Sequence, residues 1–383
     1  MTENQRSTYA VTSNLQYRLR AAGALLGVSD NTMRGYADNS GFDVRRASDT
    51  NPDSPSVRIF DVPTLFNLAQ WRRQQGLSKS PNTNGCPVVI TVDVIKGGTG
   101  KSTTAAELAL HLQFGGLRVL LIDLDTQANV TQLYGYESDL TLDEAPEYGL
   151  NEDAIVTETF ANIVLPYLDR VRGALSLRAG VSVDAIKKPF GENGPHLIPA
   201  DTFLSDFEQS LANAKGHREL YFRELFNEAC QGKIPGLDIS NYDVILFDCP
   251  PAISFCSTNA LAAADIVVSP IKMDSFSIKG LTKLMSELGA LDKTYKLSPE
   301  LVILPTHYAP NLARIGRMQT QLNTYKANLA PCSISASEEF PKSLENYLPL
   351  SLQKPTSSAA KEYKLFAETI FAKVLKIAGG RAK

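Results

Sequence analysis

Five short apolar runs recur from residue 88 onward: VVITVDV (88–94), VLLID (119–123), VILFD (244–248), IVVSPI (266–271) and LVILP (301–305). Continuous β-branched runs of this length, as opposed to alternating ones, mark strands buried on both faces. Stretches with helical spacing lie between most of them, among them 103–114, 277–291 and 312–326. Strands alternating with helices predict an α/β fold with a mostly parallel sheet and helices on both faces. Residues 137–195 carry no clear period and are expected to be helices and loops. No internal repeat of fixed period is present.

The pattern ahead of residue 88 is different. In LRAAGALLGVSDNTMRGYAD (19–38), Gly23 and Gly27 stand where two helices would cross and turn, with Leu26, Val28, Met33 and Tyr36 as apolar anchors. That is the arrangement a helix-turn-helix needs, with Ser29 or Asp30 capping the second helix. Short strand patterns at 44–46 and 57–60 flank a tip rich in Asp, Asn, Pro and Ser. Asp61 and Pro63 then open an amphipathic helix that ends before Gly76. GLSKSPNTNGCP (76–87) reads as a linker. The expected organisation is a flexible terminus over 1–14, a small winged helix-turn-helix domain over 15–75, a linker over 76–87 and one large domain over 88–383.

Composition narrows the class. The 383 residues are 43% hydrophobic and 21% charged with a net charge of −3, which suits a globular protein with an ample core. Residues 1–80 carry ten Lys/Arg against seven Asp/Glu, so the basic excess lies at the front. The five cysteines form no C-x-x-C pair and read as reduced thiols of a cytoplasmic protein. No apolar run approaches the ~18–20 residues of a membrane span, and the N-terminus has no apolar signal segment. No stable membrane insertion is expected.

The chemistry concentrates after the first strand, in VIKGGTGKST (94–103). Glycines at 97, 98 and 100 let backbone N–H groups turn toward phosphate oxygens at a helix N-terminus. This is a P-loop, built from Lys96, Gly97, Gly98, Thr99, Gly100, Lys101, Ser102 and Thr103. Lys101 would reach the β- and γ-phosphates of ATP, and the Ser102 hydroxyl would hold Mg²⁺. The common G-x-x-x-x-G-K-[ST] pattern would place a glycine at 95, where this chain has Ile95. Asp123 and Asp125 end the next strand, and Asp248 ends a later one, all facing the crevice where ligands bind in such sheets. Asp248 has the position of a Walker-B residue, Asp123 supports the Mg²⁺ shell, and Asp125 is the candidate for orienting an attacking water.

With KGGTGKST (96–103), VLLIDLDTQAN (119–129) and DVILFDCPP (243–251) on the page, the chain resembles the ParA/MinD family of P-loop NTPases. It is most similar to plasmid-partition ParA proteins with an N-terminal helix-turn-helix. SPIKMDSFSIKGL (269–281) and LQKPTSSAAKEY (352–363) extend the resemblance. It departs from the family at Thr126, Ala128 and Cys249, where D-P-Q-G-N and D-T-P-P are usual. The resemblance implies an ATPase whose ATP-bound state is a sandwich homodimer, with Lys96 crossing to the partner's nucleotide. It implies slow hydrolysis stimulated by a ParB-type centromere-binding protein, and a nucleoid-associated protein that segregates DNA.

It implies two DNA surfaces as well. The front domain would read operator DNA of its own operon through Asn31, Thr32 and Arg34, with Arg45, Arg46 and Arg58 on the wing. Non-specific DNA would meet Arg314, Arg317 and Lys361, with Lys279 and Lys283 as further options. Residues 357–377 form one apolar stripe, Tyr363, Phe366, Ile370, Val374 and Ile377, on a helix that either docks on the sheet or lies on a membrane. Two alternatives stay open: a transcriptional regulator tuned by nucleotide, and a MinD-like ATPase that positions cargo at a membrane.

Overall fold

The computed structural model describes residues 15–171, 182–308 and 322–381. Among them are six strands: β1 (Val88–Val92), β2 (Val119–Asp123), β3 (His196–Ile198), β4 (Val244–Asp248), β5 (Ile266–Lys272) and β6 (Glu300–Thr306). They form one sheet in the order β3-β2-β4-β1-β5-β6 with every pairing parallel. The five expected strands are all present. The sixth, β3, is a three-residue pairing at the sheet edge, too short to leave a period in the sequence.

The helices are α1 (Leu19–Leu26), α2 (Asp30–Asn39), α3 (Ala47–Thr50), α4 (Val62–Gln74), α5 (Lys101–Phe114), α6 (Asn129–Leu133), α7 (Ala161–Val171), α8 (Leu204–Ala212), α9 (Tyr221–Cys230), α10 (Phe255–Ala263) and α11 (Ser275–Tyr295). Two short helices, Glu339–Glu345 and Leu350–Gln353, precede a final one, Ser358–Arg381. The two faces of the sheet sort by strand alternation. Val88, Ile90 and Val92 join the core under α5 and the final helix, whereas Val89 joins the core under α7 to α10. The expected 312–326 helix lies largely outside the described residues.

Helices α1 and α2 are joined by a turn in which Gly27 adopts φ +71°. Ser29 caps α2, its hydroxyl accepting the Thr32 amide at 3.2 Å. The wing is smaller than expected. An antiparallel Arg46–Arg58 bridge, with the Ile59 amide on the Arg45 carbonyl at 2.9 Å, carries it, and α3 fills part of the tip.

Helix α4 departs from the amphipathic expectation. Val62, Leu65, Phe66, Leu68, Ala69 and Arg72 are all buried, on more than one face. One side holds α1 and α2; the other packs on the sheet domain, where Phe66 stacks on Phe114 with ring centroids 4.4 Å apart. Each such buried apolar side chain contributes about 1.5–3 kcal/mol, so α4 belongs to both units. Asp61 caps it through the Thr64 amide at 2.8 Å. The Arg73 guanidinium pairs with the buried Asp243.

The final helix buries Tyr363, Phe366, Ile370 and Val374 in the core shared with α5. Its stripe is therefore consumed by docking, the first of the two readings. No helix among the described residues is long and apolar enough to cross a membrane.

Glu107 on α5 is fully buried and ties the sheet domain to Leu350–Gln353. Its carboxylate accepts the Ser351 amide at 3.1 Å and the Ser351 hydroxyl, and His111 Nε2 lies 2.9 Å from that hydroxyl. Burial pushes the Glu107 pKa up to about 7 from 4.5. A folded pKa above the unfolded one contributes stability that is complete below 4.5 and lost as pH rises through about 7. Glu107→Gln keeps the shape without the charge. We expect it to gain up to ~3 kcal/mol relative to the parent between pH 5 and pH 8 in urea unfolding. Parallel pH profiles would reject a buried carboxyl as the cause.

Candidate functional site

The P-loop joins the end of β1 to the start of α5. Two of its glycines adopt the left-handed backbone, Gly98 at φ +70° and Gly100 at φ +88°, which an L side chain takes up only with strain. Gly100 is the N-cap of α5, so the loop's amides converge at a positive helix end. The turn is fixed from outside. The Thr306 hydroxyl donates to the Thr99 carbonyl at 2.8 Å. Helix α11 approaches so closely that a Cβ on Gly280 would lie 2.9 Å from the Ile95 carbonyl oxygen. Lys101 is buried and donates to the Lys96 carbonyl at 3.0 Å.

Two carboxylates, Asp123 and Asp248, end neighbouring strands near the P-loop, and Asp125 follows the first. Asp123 and Asp248 are direct register partners on β2 and β4, and both are fully buried. Asp123 is saturated by the protein. It accepts the Thr131 amide at 3.0 Å, the Thr131 hydroxyl at 2.8 Å and the Asp125 amide at 3.1 Å. Neither oxygen of Asp248 has a hydrogen-bond partner. Burial, then the Asp123 charge, pushes the Asp248 pKa far up, while Ser102 and Lys101 pull the other way. Ser102 is thus close to Asp248 but outside hydrogen-bonding geometry. Asp125 is nearly buried and accepts the Gln127 amide at 3.0 Å.

Three contributors escaped the sequence analysis. Asp93 follows β1, nearly fully buried, its pKa raised to about 7 by burial with Lys101 opposing. Its signal was a lone acid in an otherwise apolar run. Asp274 and Ser277 hold Lys96, whose ammonium lies 2.7 Å from the Asp274 carboxylate and 3.2 Å from the Ser277 hydroxyl. Burial alone would raise the Asp274 pKa, but hydrogen bonds from Lys96 and Ser277 outweigh it and leave it low.

The arrangement fits a magnesium nucleotide: an anion cradle, a lysine within it, and a buried carboxylate with uncommitted oxygens beside a serine hydroxyl. Among the described residues no three His, Cys, Asp or Glu side chains gather closely enough to hold a metal alone.

Residues 88–303 match the family model described as an AAA domain. The chromosome-partitioning ATPase Soj of Thermus thermophilus is 28% identical over 290 residues, 73% of this chain and 93% of the relative. The chain belongs to the ParA/MinD family of ATPases. A putative replication protein A of Sinorhizobium fredii is 26% identical over 73% of the chain, and the match spans only 62% of that relative's length. A putative plasmid partition protein of Borrelia burgdorferi, solved bound to AMPPNP, shares the fold at TM-score 0.53 and 23% identity, covering 75% of this chain and 99% of that one.

The other candidate residues of this ParA/MinD-family chain are dispersed. Asn31, Thr32 and Arg34 are exposed on α2, with Arg34 donating to Asn31 at 3.3 Å. Arg45 and Arg46 are exposed on the wing, and Arg46 donates to the Ser56 carbonyl at 3.2 Å. Arg58 is committed to Asp38 and the Arg34 carbonyl, tying the wing to α2. Lys279, Lys283 and Lys361 are exposed. Arg314 and Arg317 lie outside the described residues.

At Ala128, where the family usually has glycine, the backbone keeps φ +51° as the N-cap of α6. The loop thus retains a conformation that strains an L-residue. Ala128→Gly should stabilise the protein by up to ~1 kcal/mol in urea unfolding. A loss of stability would show that the buried methyl of Ala128 outweighs the strain of its backbone.

Proposed function

We propose that this chain is a DNA-partition ATPase. It binds ATP with Mg²⁺, dimerises in that state, holds DNA without sequence preference, and hydrolyses slowly until a ParB-type partner stimulates it. The observation that carries the reading is the buried Asp248 carboxylate, without a hydrogen-bond partner, beside Ser102 and Lys101.

In this reading the loop amides and Lys101 bind the phosphates, and Ser102 and Asp248 would hold Mg²⁺ and its water, with Asp123 orienting the Thr131 segment behind them. Bound Mg²⁺ would neutralise phosphate charge. Asp125 holds and orients the attacking water. Lys101→Ala is expected to abolish ATP binding, and with it dimerisation and non-specific DNA binding. Asp125→Ala is expected to keep ATP bound while turnover falls about 10²-fold or more. Unimpaired turnover in that variant removes Asp125 from the role.

Lys96 is proposed to meet the partner subunit's nucleotide, which requires it to leave Asp274. Part-exposed ion pairs are worth about 0.2–1 kcal/mol. Asp274→Asn keeps an acceptor for the Ser277 amide but removes the charge. Because both protomers make the exchange, it should tighten dimerisation with a non-hydrolysable ATP analogue by up to about 30-fold in analytical ultracentrifugation. An unchanged or weaker dimer argues against that exchange.

The exposed Asn31, Thr32 and Arg34 favour operator binding as a second role. Because α4 is part of the common core, removing the front unit would damage the fold. The test is therefore Arg34→Ala with Arg45→Ala, expected to lose operator binding and keep ATP-dependent non-specific binding. Loss of both kinds of binding would favour a regulator tuned by nucleotide.

A further inference from the structure

A cavity of about 370 Å³ opens at the start of β1, the end of that strand away from the P-loop, between the linker, α9 and Arg381 of the final helix. Two free, half-buried cysteines line it together: Cys86 near the end of the linker and Cys230, the last residue of α9. Their thiols are hydrogen-bonded to each other. Cys249 and Cys256 also lie close enough to interact, but both are buried in the sheet core. Cys86 and Cys230 are thus a thiol pair that a small reagent can reach.

Each sulfur is carried by backbone that is fixed independently of the other. The Cys86 amide donates to the Thr83 carbonyl at 2.9 Å, closing a turn through Asn84 at φ +50° and Gly85 at φ +77°. Arg381 holds that turn from outside, donating to the Pro87 carbonyl at 3.1 Å and to the Cys86 carbonyl at 3.4 Å while pairing with Asp265. Helix α9 is anchored by Phe222, Leu225, Phe226 and Ala229, all buried. Little ordering remains to be done when two sulfurs held this way are joined, which favours a bond between them over reaction with an outside thiol.

The charges around the pair favour oxidation. Arg223 and Arg381 line the cavity with one carboxylate, Asp265, and excess positive charge beside a thiol favours its thiolate. Burial, then the hydrogen bond with Cys86, pushes the Cys230 thiol up to about 12, with Arg381 acting the other way. Cys230 therefore keeps its proton and suits the second step of an oxidation, which leaves Cys86 as the first nucleophile.

We propose that Cys86 and Cys230 form a reversible oxidation site, at which a hydroperoxide converts the two thiols to a disulfide that fastens the linker ahead of β1 to the end of α9. With hydrogen peroxide, the Cys86 thiolate attacks one oxygen, the O–O bond breaks, and the departing hydroxide takes up the thiol's proton to become water. The Cys230 sulfur then displaces hydroxide from the Cys86 sulfenic acid, forming the S–S bond, and the Cys230 proton turns that hydroxide into a second water. The two thiols lose two electrons and the peroxide gains them. A thiol reductant reverses the change by exchange.

The test treats the reduced full chain with hydrogen peroxide, blocks the remaining thiols with iodoacetamide and maps the peptides without reduction by mass spectrometry. The expected product links the Cys86 peptide to the Cys230 peptide and is lost on adding dithiothreitol. Cys230→Ser should lose the link and leave a sulfenic acid on Cys86, trapped by dimedone about tenfold or more above the parent chain. Cys86→Ser should lose the link without a dimedone adduct at Cys230, and Cys332→Ser should form the link as the parent does. Failure of peroxide to oxidise either cysteine overturns the proposal. So does a Cys86 link to another cysteine or to a second chain as the main product, or a Cys86 sulfenic acid that persists in the parent.

Discussion

Asp123 and Asp248 sit side by side without exposed surface because β2 and β4 pair in register at their last residues. Two buried carboxylates in that position repel, and only Asp123 has hydrogen bonds to relieve it, from Thr131 and the Asp125 amide, while Asp248 has the Lys101 charge nearby. The sheet core on both sides holds the pair there at a cost to the apo protein. The rest of the site is built around that cost. Lys101 and Ser102 face Asp248 from the start of α5, and α11 and Thr306 clamp the loop that carries them. A group that binds the charged form of Asp248 recovers what the fold gives up.

The same helix that begins at the phosphate cradle ends at the front unit. Helix α5 carries Lys101 at one end, Glu107 and His111 along one side, and Phe114 stacked on Phe66 at the other. Arg72 then fastens its last carbonyl to that of α1. Packed side chains and two hydrogen bonds thus connect the helix that begins at the P-loop to α1 and α4. The front unit and the ATPase share one hydrophobic core, which a flexible tether between independent domains would not produce.

Much of this was legible in the residues alone. Five of the six strands stand out as continuous β-branched runs because parallel strands covered on both faces have no polar side to show. The P-loop and the strand-end aspartates are legible for a related reason: glycine at a left-handed turn and acid at the end of an apolar run are both locally demanded. The helix ends were readable from Ser29 and Asp61, whose side chains meet amides three residues on. What failed was whatever depended on a partner distant in sequence. Helix α4 was expected to be amphipathic, whereas its Arg72 and Arg73 reach carbonyls and a carboxylate contributed by α1, α5 and Asp243.

The sequence by itself determined the parallel α/β architecture, the phosphate cradle and three of the carboxylates near it, Asp123, Asp125 and Asp248, since each follows from local backbone needs or strand periodicity. Tertiary structure alone decided which of those carboxylates is left without a partner. It also decided that Lys96 rests on Asp274, 178 residues away, and that Ala128 keeps a glycine-like conformation. These depend on strand register and helix docking, which bring together residues that no spacing in the chain relates.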